Sequence, residues 1–270
     1  MNITDNNLLF DIDNIIEKSK KDNYTFIDIT KLHLKNIPDF TKHKNYHLIK
    51  NIKYLFASNN DLETIEKKDL EQFPNLTVID LSFNNIITIN YLPQSLDQLS
   101  VNDNQLKSIP YLKNLTLLEA SNNKLVSLEK YENLKSLLVD SNELTEIKTY
   151  PKIEYITCRN NNITKIFTQP ELIHLNCSNN HLINIESMPN LLHLICHNNE
   201  NLCNFDDSIR KLITFEFINT KINYLPYMKS LKHIVCTYIV SKNNIILSEE
   251  YKIKEYIKGH TKNNIDIEFQ

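Results

Sequence analysis

The residues able to do chemistry here are nine histidines, five cysteines and thirty-three carboxylates. His174, His193, His197 and His233 cluster late in the chain, with His174 and His193 nineteen residues apart. A zinc site wants three or four converging ligands, and this set, with Asn176 between, falls short. Titration near neutral pH would instead make the cluster a pH-sensitive patch. His43 and His47 stand four apart, the spacing at which two histidines on a helix can share a metal. No third ligand lies near them, so a solvated basic loop is the simpler expectation. No His-Glu-x-x-His, nucleophile elbow or phosphate loop occurs, and Gly259 is the one glycine. Ser, His and Asp coexist, but nothing builds a water-excluding pocket or an oxyanion hole around them. The expectation is a chain that is not an enzyme and uses no metal and no cofactor.

The nineteen-residue spacing is the larger signal. Ile79-Asp80-Leu81-Ser82-Phe83-Asn84-Asn85-Ile86 alternates apolar and polar residues and stops on asparagine. The phrase returns at Leu99–Leu106 and Leu118–Leu125 and several times more. Its asparagines form a column: Asn60, Asn84, Asn104, Asn123, Asn142, Asn161, Asn180 and Asn199, closing to intervals of nineteen residues after Asn104. Thr220 and Ile239 continue the register without the amide. Asn60 to Asn84 is longer and holds Glu66–Pro74, enough for a helical turn or two. Nineteen-residue rungs leave no room for a helix, so their return segments should be extended or short 3-10 turns. Ile, Leu and Cys alternate through each phrase as in a strand with one face buried.

With its flanks the phrase reads L-x-x-L-x-L-x-x-N-x-L, which resembles the leucine-rich-repeat family over residues 24–239. The short rungs look closest to those of bacterial effectors. With the heavy Asn, Ile and Lys usage, they are also similar to repeat proteins of AT-rich amoebal giant viruses. The resemblance implies an α/β-type repeat solenoid: a horseshoe with a parallel β-sheet on the concave face, mostly irregular or 3-10 convex segments, and helical caps. Roughly eleven rungs at about 4.8 Å make a stack of about 50 Å. Residues 1–23 form the N-terminal helical cap, with Leu8, Leu9, Ile12, Ile15 and Ile16 on one face. Residues 24–239 form the solenoid, with an insertion at 38–51, and 240–270 a C-terminal cap. In that cap Ser248–Lys258 suits a short helix and 265–269 alternates like a strand.

In such a coil the asparagine sits where the chain bends inward, and its amide can bond backbone of its own loop and of the next rung. Cys158, Cys177, Cys196 and Cys236 fall on the second leucine of L-x-L and should be buried small apolar residues. Cys203 falls off the column and is the thiol expected at the surface. An odd cysteine count without a secretion signal argues for reduced thiols.

The side chains pointing the other way face the concave surface, where a binder's specificity is written. The candidate partner-binding positions are Tyr54, Phe56, Val78, Asp80, Leu117, Glu119, Leu138, Asp140, Tyr155, Arg159, His174, His193, Ile195, His197 and Glu216. Phe26, Tyr54, Phe56 and Val78 form an aromatic patch, unless the insertion folds over it. Asp80, Glu119 and Asp140, opposed mainly by Arg159, favour a basic segment on the partner.

Formal net charge is −3, with no basic excess to grip a nucleic acid. The first residues lack the basic and apolar regions of a signal peptide, and no apolar run is long enough to span a membrane. A cytoplasmic, monomeric, non-catalytic scaffold that binds a protein partner on its concave face is therefore expected. The alternative is an adaptor whose terminal segments dock onto a larger complex, such as a ubiquitin ligase or a signalling assembly. A metal-dependent enzyme built on the histidine patch is the remote alternative.

Overall fold

The computed structural model describes residues 5–222, 228–236 and 266–269. The chain divides into two compact units, Met1–Leu134 and Lys135–Gln270.

The first unit opens with helix α1, Asp5–Ser19. Ile12, Ile15 and Ile16 recur at helical spacing and are buried. The helix ends in a 3-10 turn at Lys20–Asp22, and Asn23 takes the left-handed conformation that closes it. Five parallel strands follow: β1 Phe26–Asp28, β2 Tyr54–Phe56, β3 Val78–Asp80, β4 Gln98–Ser100 and β5 Leu117–Glu119. They pair in that order without slippage, so Ile27, Leu55, Ile79, Leu99 and Leu118 stack as one buried ladder. A one-residue slip would turn that ladder to solvent. The second apolar position of each phrase, Ile29, Ala57, Leu81, Val101 and Ala120, is fully buried as well.

The insertion does not behave as a solvated basic loop. Phe40–Lys42 forms a 3-10 turn, capped by the Asp39 carboxylate on the Thr41 N–H, and Tyr46–Ile49 forms helix α2. Phe40 and Ile49 are buried, and the Phe40 ring meets Phe73 at 5.8 Å. The Phe40 N–H donates to Gln72 Oε1 at 2.9 Å, and Gln72 Nε2 donates to the Pro38 carbonyl at 3.0 Å. His43 bonds Asp13 of α1, while His47 is exposed, so the two histidines do not share a site. The insertion's apolar residues must leave water, and the long second rung, that of β2, supplies Phe73 and Gln72 to receive them. That rung carries the expected helical turn, α3 Lys67–Leu70, whose preceding Glu66 N–H donates to Asp69 at 2.7 Å.

The second unit contains β6 Ser136–Leu138, β7 Tyr155–Thr157, β8 His174–Asn176, β9 His193–Ile195, β10 Thr214–Glu216 and β11 His233–Cys236. All pair in parallel and in register. A final strand, β12 Asp266–Phe269, pairs in parallel with β11. The possible helix at Ser248–Lys258 and the register position Ile239 lie outside the described residues. The return segments are extended, with two-residue pairs such as Glu146–Ile147 against Lys165–Ile166. Among the described residues 3-10 turns occur before β1 and in the insertion, and none in the nineteen-residue rungs.

The asparagine column is buried and bonded in both units. Asn84 Nδ2 donates to Leu81 O at 2.9 Å in its own rung and to Ala57 O at 3.1 Å in the rung before, while its Oδ1 accepts the Leu62 N–H at 3.1 Å. Asn161 repeats this with Cys158 O, Val139 O and the Leu144 N–H. The amides therefore reach back to the preceding rung, not on to the next one. Backbone pairing runs forward instead, as in Asn160 N–H to Ser178 O at 3.1 Å. Rungs are thus tied in both directions. Thr220 keeps part of the pattern, its hydroxyl donating to Phe217 O at 3.1 Å.

A second column stands one residue earlier. Asn59, Phe83, Asp103, Asn122, Ser141, Asn160, Asn179, Asn198 and Asn219 all have φ between 52° and 57°. The left-handed region costs an ordinary residue about 1 kcal/mol or more, and asparagine tolerates it better than most. The recurrent Asn-Asn pairs are therefore two roles side by side: the first makes the turn, the second bonds the rungs. Phe83 is the misfit, an aromatic left 54% exposed in that conformation. Phe83→Asn should raise stability by about 0.5–1 kcal/mol. Asn161→Ala strands a buried N–H and two carbonyls and should cost about 2–4 kcal/mol. Urea unfolding of both variants checks the opposite signs.

Candidate functional site

Alternation sends one side chain of each strand inward and its two neighbours outward. In the first unit the outward residues of β1–β5 form two columns, Phe26-Tyr54-Val78-Gln98-Leu117 and Asp28-Phe56-Asp80-Ser100-Glu119. Tyr54 is 40% and Phe56 36% exposed, while Phe26, Val78 and Leu117 are half-buried. The insertion is anchored to Asp13, Gln72 and Phe73 and leaves both exposed rings uncovered. Asp80 Oδ1 accepts the Ser82 N–H at 2.9 Å, and Glu119 Oε2 accepts the Ser100 hydroxyl at 2.6 Å. Neither is ion-paired among the described residues.

In the second unit the outward rings stack. Tyr155 and His174 lie 4.6 Å apart and nearly parallel at 11°, and His174 and His193 are 5.9 Å apart, tilted at 37°. His193 Nδ1 bonds the Thr214 hydroxyl at 2.8 Å, a partner one rung on that the histidine spacing did not reveal. His197 Nδ1 accepts the Ile218 N–H at 3.0 Å, so its proton sits on Nε2 and goes to Glu216 at 3.1 Å. Arg159 answers Asp140 with Nη2 at 2.7 Å, Nε at 2.9 Å and its backbone N–H at 2.7 Å. Asp140 thus adds little to an acidic face, since its charge is spent within the chain. The same carboxylate holds the Arg159 guanidinium above its ordinary range. Leu138 and Ile195 are half-buried between these pairs, whereas Thr157 and Val235, at equivalent positions, are buried. Beside the strand starts runs a groove of about 670 Å³ of mixed charge, lined by Lys135, Lys152, Lys211, Glu154, Ile173 and Leu192.

Burial, and then His193, lower the His174 pKa below its ordinary 6.5. His193 acts on the ring through its charge, and Glu216 opposes the shift. Among the described residues no group of three or more His, Cys, Asp or Glu could hold a metal. Cys158, Cys177 and Cys196 are fully buried, and burial pushes the Cys177 thiol up to about 12. They are core atoms and poor nucleophiles; Cys203 is half-buried.

Iodoacetamide at mildly alkaline pH should therefore alkylate Cys203 in the native protein and spare Cys158, Cys177 and Cys196, as read by peptide mass spectrometry. His174 binds its proton more readily once unfolded. Stability should then fall as pH drops from 6.5 toward the lowered folded value, a slope that His174→Gln removes. Denaturation across that window, with imidazole NMR for the titration, tests it.

The family model for two copies of leucine-rich repeats matches residues 50–93. No curated protein sequence matches the chain. Among solved structures, the leucine-rich-repeat domain of APL1B is 15% identical, covering 99% of this chain and 93% of that one at a TM-score of 0.60. The effector YopM from Yersinia pestis is 21% identical, covering 83% and 80% at 0.55. The Toll–Spatzle complex of Drosophila is 18% identical, covering 78% of this chain but 40% of that one at 0.55. No described helix is long and apolar enough to cross a membrane. The matched rungs at 50–93, the inward asparagines and the stacked parallel coils give the chain the leucine-rich-repeat fold with short rungs, similar to those of the bacterial effector YopM.

Proposed function

We propose that this chain is a non-catalytic binding module that holds a partner protein against the outward side chains of its strands. The observation that carries this is the exposure of Tyr54, Phe56 and Tyr155, each more than a third open on strands tied rigidly into a stack. Aromatic rings on a fixed backbone lose little entropy on contact and are the usual anchors of protein interfaces. The fold is a typical protein–protein interaction scaffold and generally not an enzyme, and one of its solved neighbours, Toll, is in complex with Spatzle. The partner-facing set is that expected from the sequence, with Tyr54, Phe56, Val78, Asp80, Leu117 and Glu119 in one unit. Leu138, Tyr155, His174, His193, Ile195, His197 and Glu216 serve in the other. Asp140 and Arg159 contribute there as a neutral pair. The adaptor alternative draws less support, because the tail strand β12 is already taken up by β11.

Affinity capture from a cell lysate, comparing wild type with Tyr155→Ala/His193→Asp, tests the proposal once equal melting is verified. Loss of a specific captured protein in the variant is the expected result. Identical capture by both would move binding off these strands.

A further inference from the structure

We propose that the first unit seats a cationic side chain of its protein partner, arginine above all, over the Phe56 ring between Asp28 and Asp80. This rests on the strand-face binding just proposed and names the chemistry of the partner there.

The register puts Phe56 directly between Asp28 on β1 and Asp80 on β3. Neighbouring strands are about 4.8 Å apart, so the ring stands between two carboxylates on one side of the sheet. Tyr54 lies two residues earlier on the same strand and therefore on the same side. Each carboxylate holds its own turn with one oxygen: Asp80 Oδ1 takes the Ser82 N–H at 2.9 Å, and Asp28 Oδ1 takes the Thr30 N–H at 3.0 Å. Neither residue has an ion pair among the described residues, and no lysine or arginine stands at an outward position of β1–β5.

A neutral or acidic partner laid on these rings would strip water from two unpaired carboxylates and give nothing back. A cation satisfies the ring face and both carboxylates together. Guanidinium does it best, since it stacks flat on an aromatic ring and forks to a carboxylate. The second unit gives an internal precedent: its outward Asp140 is answered by Arg159 from the neighbouring rung, with Tyr155 beside it. In the first unit the carboxylates and the ring are present and the arginine is not.

The test uses the full chain and an immobilised dodecapeptide library with apolar flanks, its central residue fixed in turn as each amino acid. Wild type should retain the arginine pool about tenfold over the leucine and glutamate pools, with lysine next. Asp28→Asn/Asp80→Asn keeps both Oδ1 acceptors, and with them the turns, while removing the charge; it should erase the preference. Phe56→Leu keeps the apolar surface and should lower arginine retention about fivefold. Equal retention of all pools by wild type, or a preference surviving the double Asn variant, overturns the inference. If the lysate partner is captured unchanged by the double Asn variant yet lost in Tyr155→Ala/His193→Asp, the cation site fails and the scaffold stands. Capture indifferent to both variants removes the two together.

Discussion

A buried amide that serves two rungs at once is the constraint on which the rest of this molecule depends. Each asparagine of the column lies at the inward bend, where backbone groups leave the strand pairing and enter an apolar core. An unmet N–H or carbonyl there costs about 1–3 kcal/mol. The amide meets several such groups, as Asn123 does with Ala120 O, Val101 O and the Leu106 N–H. Because the donors and acceptors belong to successive rungs, the same bonds set the spacing of the coil. The left-handed residue one place earlier makes the bend that brings each amide to its partners. In a chain with one glycine, asparagine mostly fills that place too.

What the ladder secures is a set of strands whose outward side chains take no part in the buried apolar column. The two units use that freedom differently. In the second, the outward groups satisfy one another: Tyr155 stacks on His174, His193 bonds Thr214, His197 bonds Glu216 and Arg159 pairs with Asp140. In the first, Tyr54 and Phe56 stand open beside carboxylates that no cation answers among the described residues. A surface already satisfied recognises by shape and stacking. One left unsatisfied recognises by what it lacks, and this is why the first unit points to a cation.

The inner face needed no tertiary information. The period of the asparagines, the alternation of Ile and Leu, and the cysteines at the second apolar position appear in the linear chain because each rung repeats the same local problem. The strand register follows directly, since a slip of one would expose the whole apolar column. The outward neighbours Tyr155, His174 and His193 were legible for the same reason, as was the helical turn in the long second rung.

Only the tertiary structure decided what depends on distance between elements. It sent the insertion to Gln72, Phe73 and Asp13 and left the Tyr54 and Phe56 rings bare. It turned the asparagine amides toward the preceding rung, and it closed Asp140 on Arg159. Spacing places residues on a column but cannot say which neighbour a flexible side chain reaches, or where an irregular segment finds burial. Those outcomes are set by competition among contacts across the fold, whereas the rung itself is settled within about twenty residues of chain.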